Sequence, residues 1–148
     1  LEKGAPLDGL GIQAHIAGSP APPERVLATF DRYRALGLPL RITEFDVNTD
    51  DEELQADYTR DFLIACFSHP GVVGVQFWDF WETVHWIPKA ALFRADWSER
   101  PAAGVYREWV LGRWRSQGGG VTDAGGRVAF KGFAGTYRIR VGEGEKSQ

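Results

Sequence analysis

Three apolar segments of strand length, residues 8–15 (DGLGIQAH), 40–47 (LRITEFDV) and 72–78 (VVGVQFW), recur along this chain at the spacing of roughly 30 residues that one strand-helix-strand repeat occupies. Each reads as nearly continuous rather than alternating, the pattern of a parallel strand covered on both faces. Helical patterns fill the gaps. The first opens near Pro22-Pro23, carries Val26, Leu27, Phe30 and Tyr33 on one face and stops at Gly37, proline suiting a helix start and glycine its end. The second opens on Asp50-Asp51-Glu52-Glu53, acidic residues that suit the positive end of a helix dipole. Its apolar stripe is Leu54, Tyr58, Phe62, Ala65 and Cys66, and it stops at His69-Pro70-Gly71. A third, over 101–114, places Val105, Tyr106, Trp109 and Val110 at helical spacing. Successive strand-helix units of this kind predict an α/β fold with a parallel sheet.

After Trp114 the pattern changes. A glycine run at 118–120 precedes a turn at 123–126 and two short alternating segments, 127–131 and 136–141. They predict a small antiparallel β unit followed by a polar, frayed tail. The domain boundary is read at 116/117. Composition excludes several function classes. With 43% apolar residues, a net charge of −3 and one Cys among 148 residues, the chain has no basic footprint for nucleic acid and no paired cysteines for an internal disulfide. No apolar run reaches the roughly 18 residues of a membrane span. Without a Met and beginning Leu1-Glu2-Lys3-Gly4, it reads as part of something longer.

Functional groups of a parallel α/β sheet gather where the strands end. Here those ends carry Gln13 and His15, Glu44 and Asp46, and Trp78 and Asp79. Residues two apart share a face, so Gln13 aligns with His15 and Glu44 with Asp46. Strict alternation sets Arg41 on the face opposite Glu44. Two carboxylates beside an imidazole are costly to bury. Spacing alone leaves a structural His15–Asp46 ion pair and a catalytic arrangement both open. The segment FWDFWETVHWIP adds Trp78, Phe80, Trp81 and Trp86 beside Glu82 and His85. Indoles above carboxylates suit the apolar C–H faces of sugar rings, although Phe80 and Trp81 suit an aromatic plug equally well. Cys66 and His69 are the one ligand-like spacing, and without a second pair they predict packing rather than a metal site. The match Gly9-x-Gly11-x-x-Ala14 lies inside a strand rather than opening a helix, which argues against nucleotide binding.

Together these motifs resemble the last three strands of the glycoside hydrolase family 10 catalytic domain, the endo-1,4-β-xylanase family. DGLGIQAH resembles its sixth-strand motif, ITEFDV its seventh, and FWDFWETVHWIP its eighth, with Trp78 and Trp86 at the family's spacing. ALFRADWSERPA resembles the stretch leading into the last helix. TDAGGRVAFKGFAGTYRIRV resembles a β extension found after the catalytic domain in some members. Asp79 stands where the family commonly has Gly. The resemblance implies the last three units of a TIM (β/α)8 barrel over 1–116, a β extension over 117–148, and retaining hydrolysis of xylan outside the cell. It implies Glu44 as nucleophile, His15 and Asp46 as its orienting groups, and Gln13, Trp78 and Trp86 as substrate-binding residues; Glu82, beside these aromatics, is read as a further substrate-binding residue, and no cofactor and no metal are expected.

The family's acid/base Glu lies in an Asn-Glu-Pro motif of the fourth strand, and this sequence contains no Asn-Glu-Pro. Three strands cannot close a barrel. The expected partners are therefore xylan or xylo-oligosaccharide and the preceding barrel part, or a second copy pairing through open sheet edges. A binding module that keeps the tryptophans without turnover is the alternative.

Overall fold

The computed structural model describes residue 4 and residues 6–142. In chain order its main elements are β1 (Leu10–Ile12), β2 (His15–Ala17), α1 (Pro23–Arg34), β3 (Leu40–Asn48), α2 (Glu52–Ser68), β4 (Val72–Phe77) and α3 (Pro101–Tyr106). All strand pairs are parallel. β3 is central, with β1 and β2 on one side and β4 on the other.

The first apolar run is thus one strand in two pieces. It breaks at Ala14, whose φ of 65° is unusual for a residue with a β-carbon. The helix starts follow the sequence. Pro23 sits in the first turn of α1, and Gly37, at φ 78°, closes the chain after it with its N–H on Arg34 O. Asp51 caps α2 by accepting the N–H groups of Glu53 and Leu54, both at 3.0 Å. The other acidic residues of that run include two in ion pairs, Asp50 with Lys89 and Glu52 with Arg94 and Arg100.

The core lies on one face of the sheet, where Leu40, Ile42, Phe45 and Val47 of β3 meet Val26 and Phe30 of α1 and Tyr58, Phe62, Ala65 and Cys66 of α2. The opposite face of β3 carries Glu44 and Asp46, so the continuous apolar reading of this strand is corrected: one face is covered by helices and the other is polar. Leu54 and Tyr33 also depart from their expected stripes and are exposed, while Gln55 and Thr59 are buried. The reason for Gln55 is specific, because its side-chain amide donates to Val47 O at 3.1 Å and Lys89 O at 3.0 Å, tying β3 to the loop after β4. Burial pushes the Cys66 thiol up to about 12, so it packs as an inert apolar group. His69 accepts the Gly71 N–H on Nδ1 and meets Asp31 through Nε2 at 3.3 Å.

A departure in β3 decides the site. Four steps along β3, from Ile42 to Asp46, match three from Ile12 to His15 on the neighbouring pieces. Three steps from Ile42 to Phe45 match two from Val75 to Phe77 in β4. β3 therefore holds one extra residue at Thr43/Glu44 relative to both neighbours, a bulge that inverts the alternation beyond it. Leu40 and Ile42 and then Phe45 and Val47 consequently share the core face. Arg41, which strict alternation sets opposite Glu44, shares its face instead, with its guanidinium lying over Gly74 of β4.

The chain divides into two compact units, Leu1–Arg107 and Glu108–Gln148. In the first, α3 buries the small residues Ala102 and Ala103 against Leu92, with Tyr106 edge-on to Phe77. The expected continuous α-helix over 101–114 changes at Arg107 into a wider π-type helix through Arg113, and Trp114 N–H bonds back to Trp109 O. In the second unit the turn forms as expected, with Asp123 accepting the N–H groups of Gly125 and Arg127. The antiparallel strands expected at 127–131 and 136–141 do not form among the described residues. Ring contacts such as Phe130 on Tyr137 replace a ladder, and Val121, Ile139 and Val141 stay more than 80% exposed. A two-stranded hairpin by itself is at best marginal in water. Of the tail read as frayed, residues 143–148 lie outside the described residues.

Candidate active site

The bulge and the break in the first strand together bring four sequence-predicted residues into one cluster. Gln13 O and Ala14 O accept the N–H groups of Glu44 and Asp46, at 3.1 and 3.4 Å. The side chains then meet: His15 Nε2 lies 3.1 Å from Glu44 Oε2, and His15 Nδ1 lies 2.8 Å from Asp46 Oδ2. Gln13 Nε2 donates to the other Glu44 oxygen at 3.5 Å. Only a ring protonated on both nitrogens donates to both carboxylates, so the pair of acids makes the imidazole a bridge. Exposure is graded along it, with the side chains of Glu44 and His15 25% exposed and that of Asp46 1%. Glu44 is reachable from solvent, and Asp46 is an anchor.

Trp78 and Trp86 flank the imidazole, with ring centroids 6.3 and 5.1 Å away in edge-on arrangements. Both remain exposed, and Trp86 also donates its indole N–H to Asp46 Oδ2 at 3.2 Å. Glu82 is placed differently. Its carboxylate meets Arg100 Nη2 at 3.3 Å and accepts the Ala95 N–H at 3.1 Å. Arg100 continues to Glu52 at 2.5 Å, so Glu82 is used in clamping the loop after β4 to the start of α2. Both of these contacts use Oε2, and the Glu82 side chain stays 30% exposed. Trp81 stacks on Trp97 with ring centroids 4.8 Å apart.

Sequence reasoning left His85 without a role. It is 4% exposed, accepts the Ile87 N–H on Nδ1 at 3.0 Å, and turns Nε2 toward Asp46 Oδ2 at 3.8 Å. The available signal was its place directly before Trp86. Desolvation by burial holds its imidazole below the ordinary value of 6.5, against the opposing pull of Asp46 and Asp79. The unfolded chain therefore takes up this proton first, so the contribution of His85 to stability is complete above pH 6.5 and declines as the pH falls below it. Equilibrium unfolding between pH 6.5 and the onset of carboxylate titration is expected to give a smaller slope for His85→Gln than for the native chain. Equal slopes refute the assignment.

The model of glycosyl hydrolase family 10 matches residues 1–108. The chain belongs to this family. Its relatives include endo-1,4-beta-xylanase 1 of Arabidopsis thaliana, 36% identical over 140 residues, covering 95% of this chain and 14% of that protein. The anti-sigma-I factor RsgI6 of Acetivibrio thermocellus is also 36% identical over 140 residues, covering 94% of this chain and 18% of its own length. Matches of that extent reach into the second unit. Among solved structures, xylanase 10B from Thermotoga petrophila RKU-1 in complex with xylobiose superposes with a TM-score of 0.66 at 30% identity, over 74% of this chain and 38% of that one. The chain thus spans less than a fifth of these two relatives and somewhat over a third of the solved family 10 chain. Its sheet with alternating helices is the corresponding part of that fold.

Proposed function

We propose that this chain supplies the nucleophile half of a retaining endo-1,4-β-xylanase site. The observation that carries the reading is the His15 bridge between an accessible Glu44 and a buried Asp46, bordered by two tryptophans. Retaining hydrolysis needs one carboxylate to attack the anomeric carbon and a second, about 5–5.5 Å away, to protonate the leaving oxygen and later activate water. Glu44 suits the attacking role, because its oxygens are held by Gln13 and His15 and it is open to a sugar. In this reading His15 steadies the carboxylate and Asp46 fixes the imidazole from behind. Trp78 and Trp86 border the sugar at the bond to be cleaved. Asp46 is too enclosed to be the acid, and Glu82 is bound to Arg100, so the acid comes from the preceding part of the barrel.

A second reading, a xylan-binding module without turnover, draws on the anti-sigma-I factor, a relative whose name is that of a regulator. The deciding experiment joins residues 1–108 to the preceding part of a homologous xylanase barrel and assays release of reducing ends from xylan. Hydrolysis is expected. Binding of xylan without hydrolysis, by a correctly folded chimera, favours the module.

A further inference from the structure

The proposed site contains a buried histidine that has no part in the reading above. With Nδ1 accepting the Ile87 N–H, neutral His85 carries its proton on Nε2. Nε2 makes no contact of full hydrogen-bond geometry among the described residues; the Trp78 backbone carbonyl acts on the ring, and Nε2 lies 3.8 Å from Asp46 Oδ2. The same oxygen faces His15 Nδ1 at 2.8 Å and the Trp86 indole N–H at 3.2 Å. Three nitrogens therefore converge on one oxygen of an almost fully enclosed carboxylate. The charged and titratable groups acting on the His85 ring are Asp46, Asp79 and His15.

Enclosing a carboxylate is costly unless donors surround it. A cationic donor would compete with His15 for Asp46, whereas a neutral N–H supports the carboxylate and leaves its charge for His15. His85 is the neutral kind, because its burial and its bond to Ile87 both oppose a second proton. The 3.8 Å gap is also of the kind that tightens when a site fills, since hydrogen bonds in unliganded sites are often long.

We propose that His85 is a positioning residue of the Glu44 site: its Nε2–H orients the Asp46 carboxylate, and through Asp46 it sets the His15 ring and the Trp86 indole. The catalytic part of this inference rests on the proposed reading of Glu44. Two substitutions separate positioning from mere turn formation. Asn offers an acceptor to the N–H two residues on, as His85 does for Ile87, but its short amide falls short of Asp46. Gln carries an amide N–H about as far as Nε2.

The test records the Trp86 indole N–H and the His15 ring nitrogens by NMR in the 15N-labelled 148-residue chain. With His85→Asn, indole exchange with water is expected to accelerate up to about tenfold, the scale of one lost hydrogen bond, and the His15 signals to shift. His85→Gln is expected to restore both. In the xylanase chimera, His85→Asn is expected to lower kcat about tenfold with KM changed less than about twofold, because His85 acts through Asp46 and touches no substrate. Native-like spectra or kcat for His85→Asn, or failure of Gln to restore them, overturns the proposal. Because the spectra need no turnover, they decide on His85 even where the nucleophile reading fails.

Discussion

Glu44→Gln in a complete barrel is expected to lower xylan hydrolysis by roughly 10⁴- to 10⁶-fold, the range seen when a nucleophile is removed. The amide keeps the size of the side chain and its place between Gln13 and His15, but it cannot form the glycosyl ester that retaining hydrolysis passes through. Binding should survive, because Trp78 and Trp86 are untouched. The measurement is reducing-end release by the chimera, with xylan binding and circular dichroism as controls for fold. A variant that retains a tenth or more of the parent rate removes Glu44 from the nucleophile role.

Phe45→Ala is expected to cost about 3–5 kcal/mol of stability, the usual range for emptying a buried aromatic site. Phe45 is fully enclosed, stacks on Phe62 at 4.3 Å with the rings nearly parallel, and meets Phe77 edge-on at 5.2 Å. A small domain has on the order of 5–15 kcal/mol in total, so the loss takes much of what holds the first unit together. Phe45 also lies between Glu44 and Asp46 in β3, pointing to the opposite face, so the void loosens both carboxylates from below. Denaturant unfolding measures the effect. Leu54→Ala is the comparison, because Leu54 is 40% exposed and is expected to change stability by no more than about 0.5 kcal/mol. Similar losses for the two variants contradict the core described here.

Much of the fold was legible in the sequence because its signals are local. Proline at the start of α1, the acidic run at the start of α2 and the spacing of the apolar runs each act within a few residues. Asp51 then caps α2 through the two N–H groups that follow it. The lack of strand pairing at 127–141 in the second unit was not legible. Alternation at 127–131 and 136–141 signals strands only where an apolar face exists to receive them, and that depends on residues far away in the chain. The candidate site was legible as a set of residue types, since His15, Glu44 and Asp46 already suggested a carboxylate–imidazole arrangement. The Glu82–Arg100–Glu52 chain was not, because it joins the loop after β4 to α2, a long-range ion pair with no local trace.

By itself the sequence determined a repeating parallel α/β arrangement, the positions of its helix starts, and the chemistry available where the strands end. Tertiary structure alone decided which faces those side chains occupy. The extra residue in β3 inverts alternation, so that Arg41 shares the face of Glu44 while Phe45 and Val47 join Leu40 and Ile42 in the core. A bulge is a mismatch between neighbouring strands, and no single strand carries it in its own pattern. The approach of His85 to Asp46, from a distant part of the chain, has the same origin: it exists only once β3 and the loop after β4 are packed together.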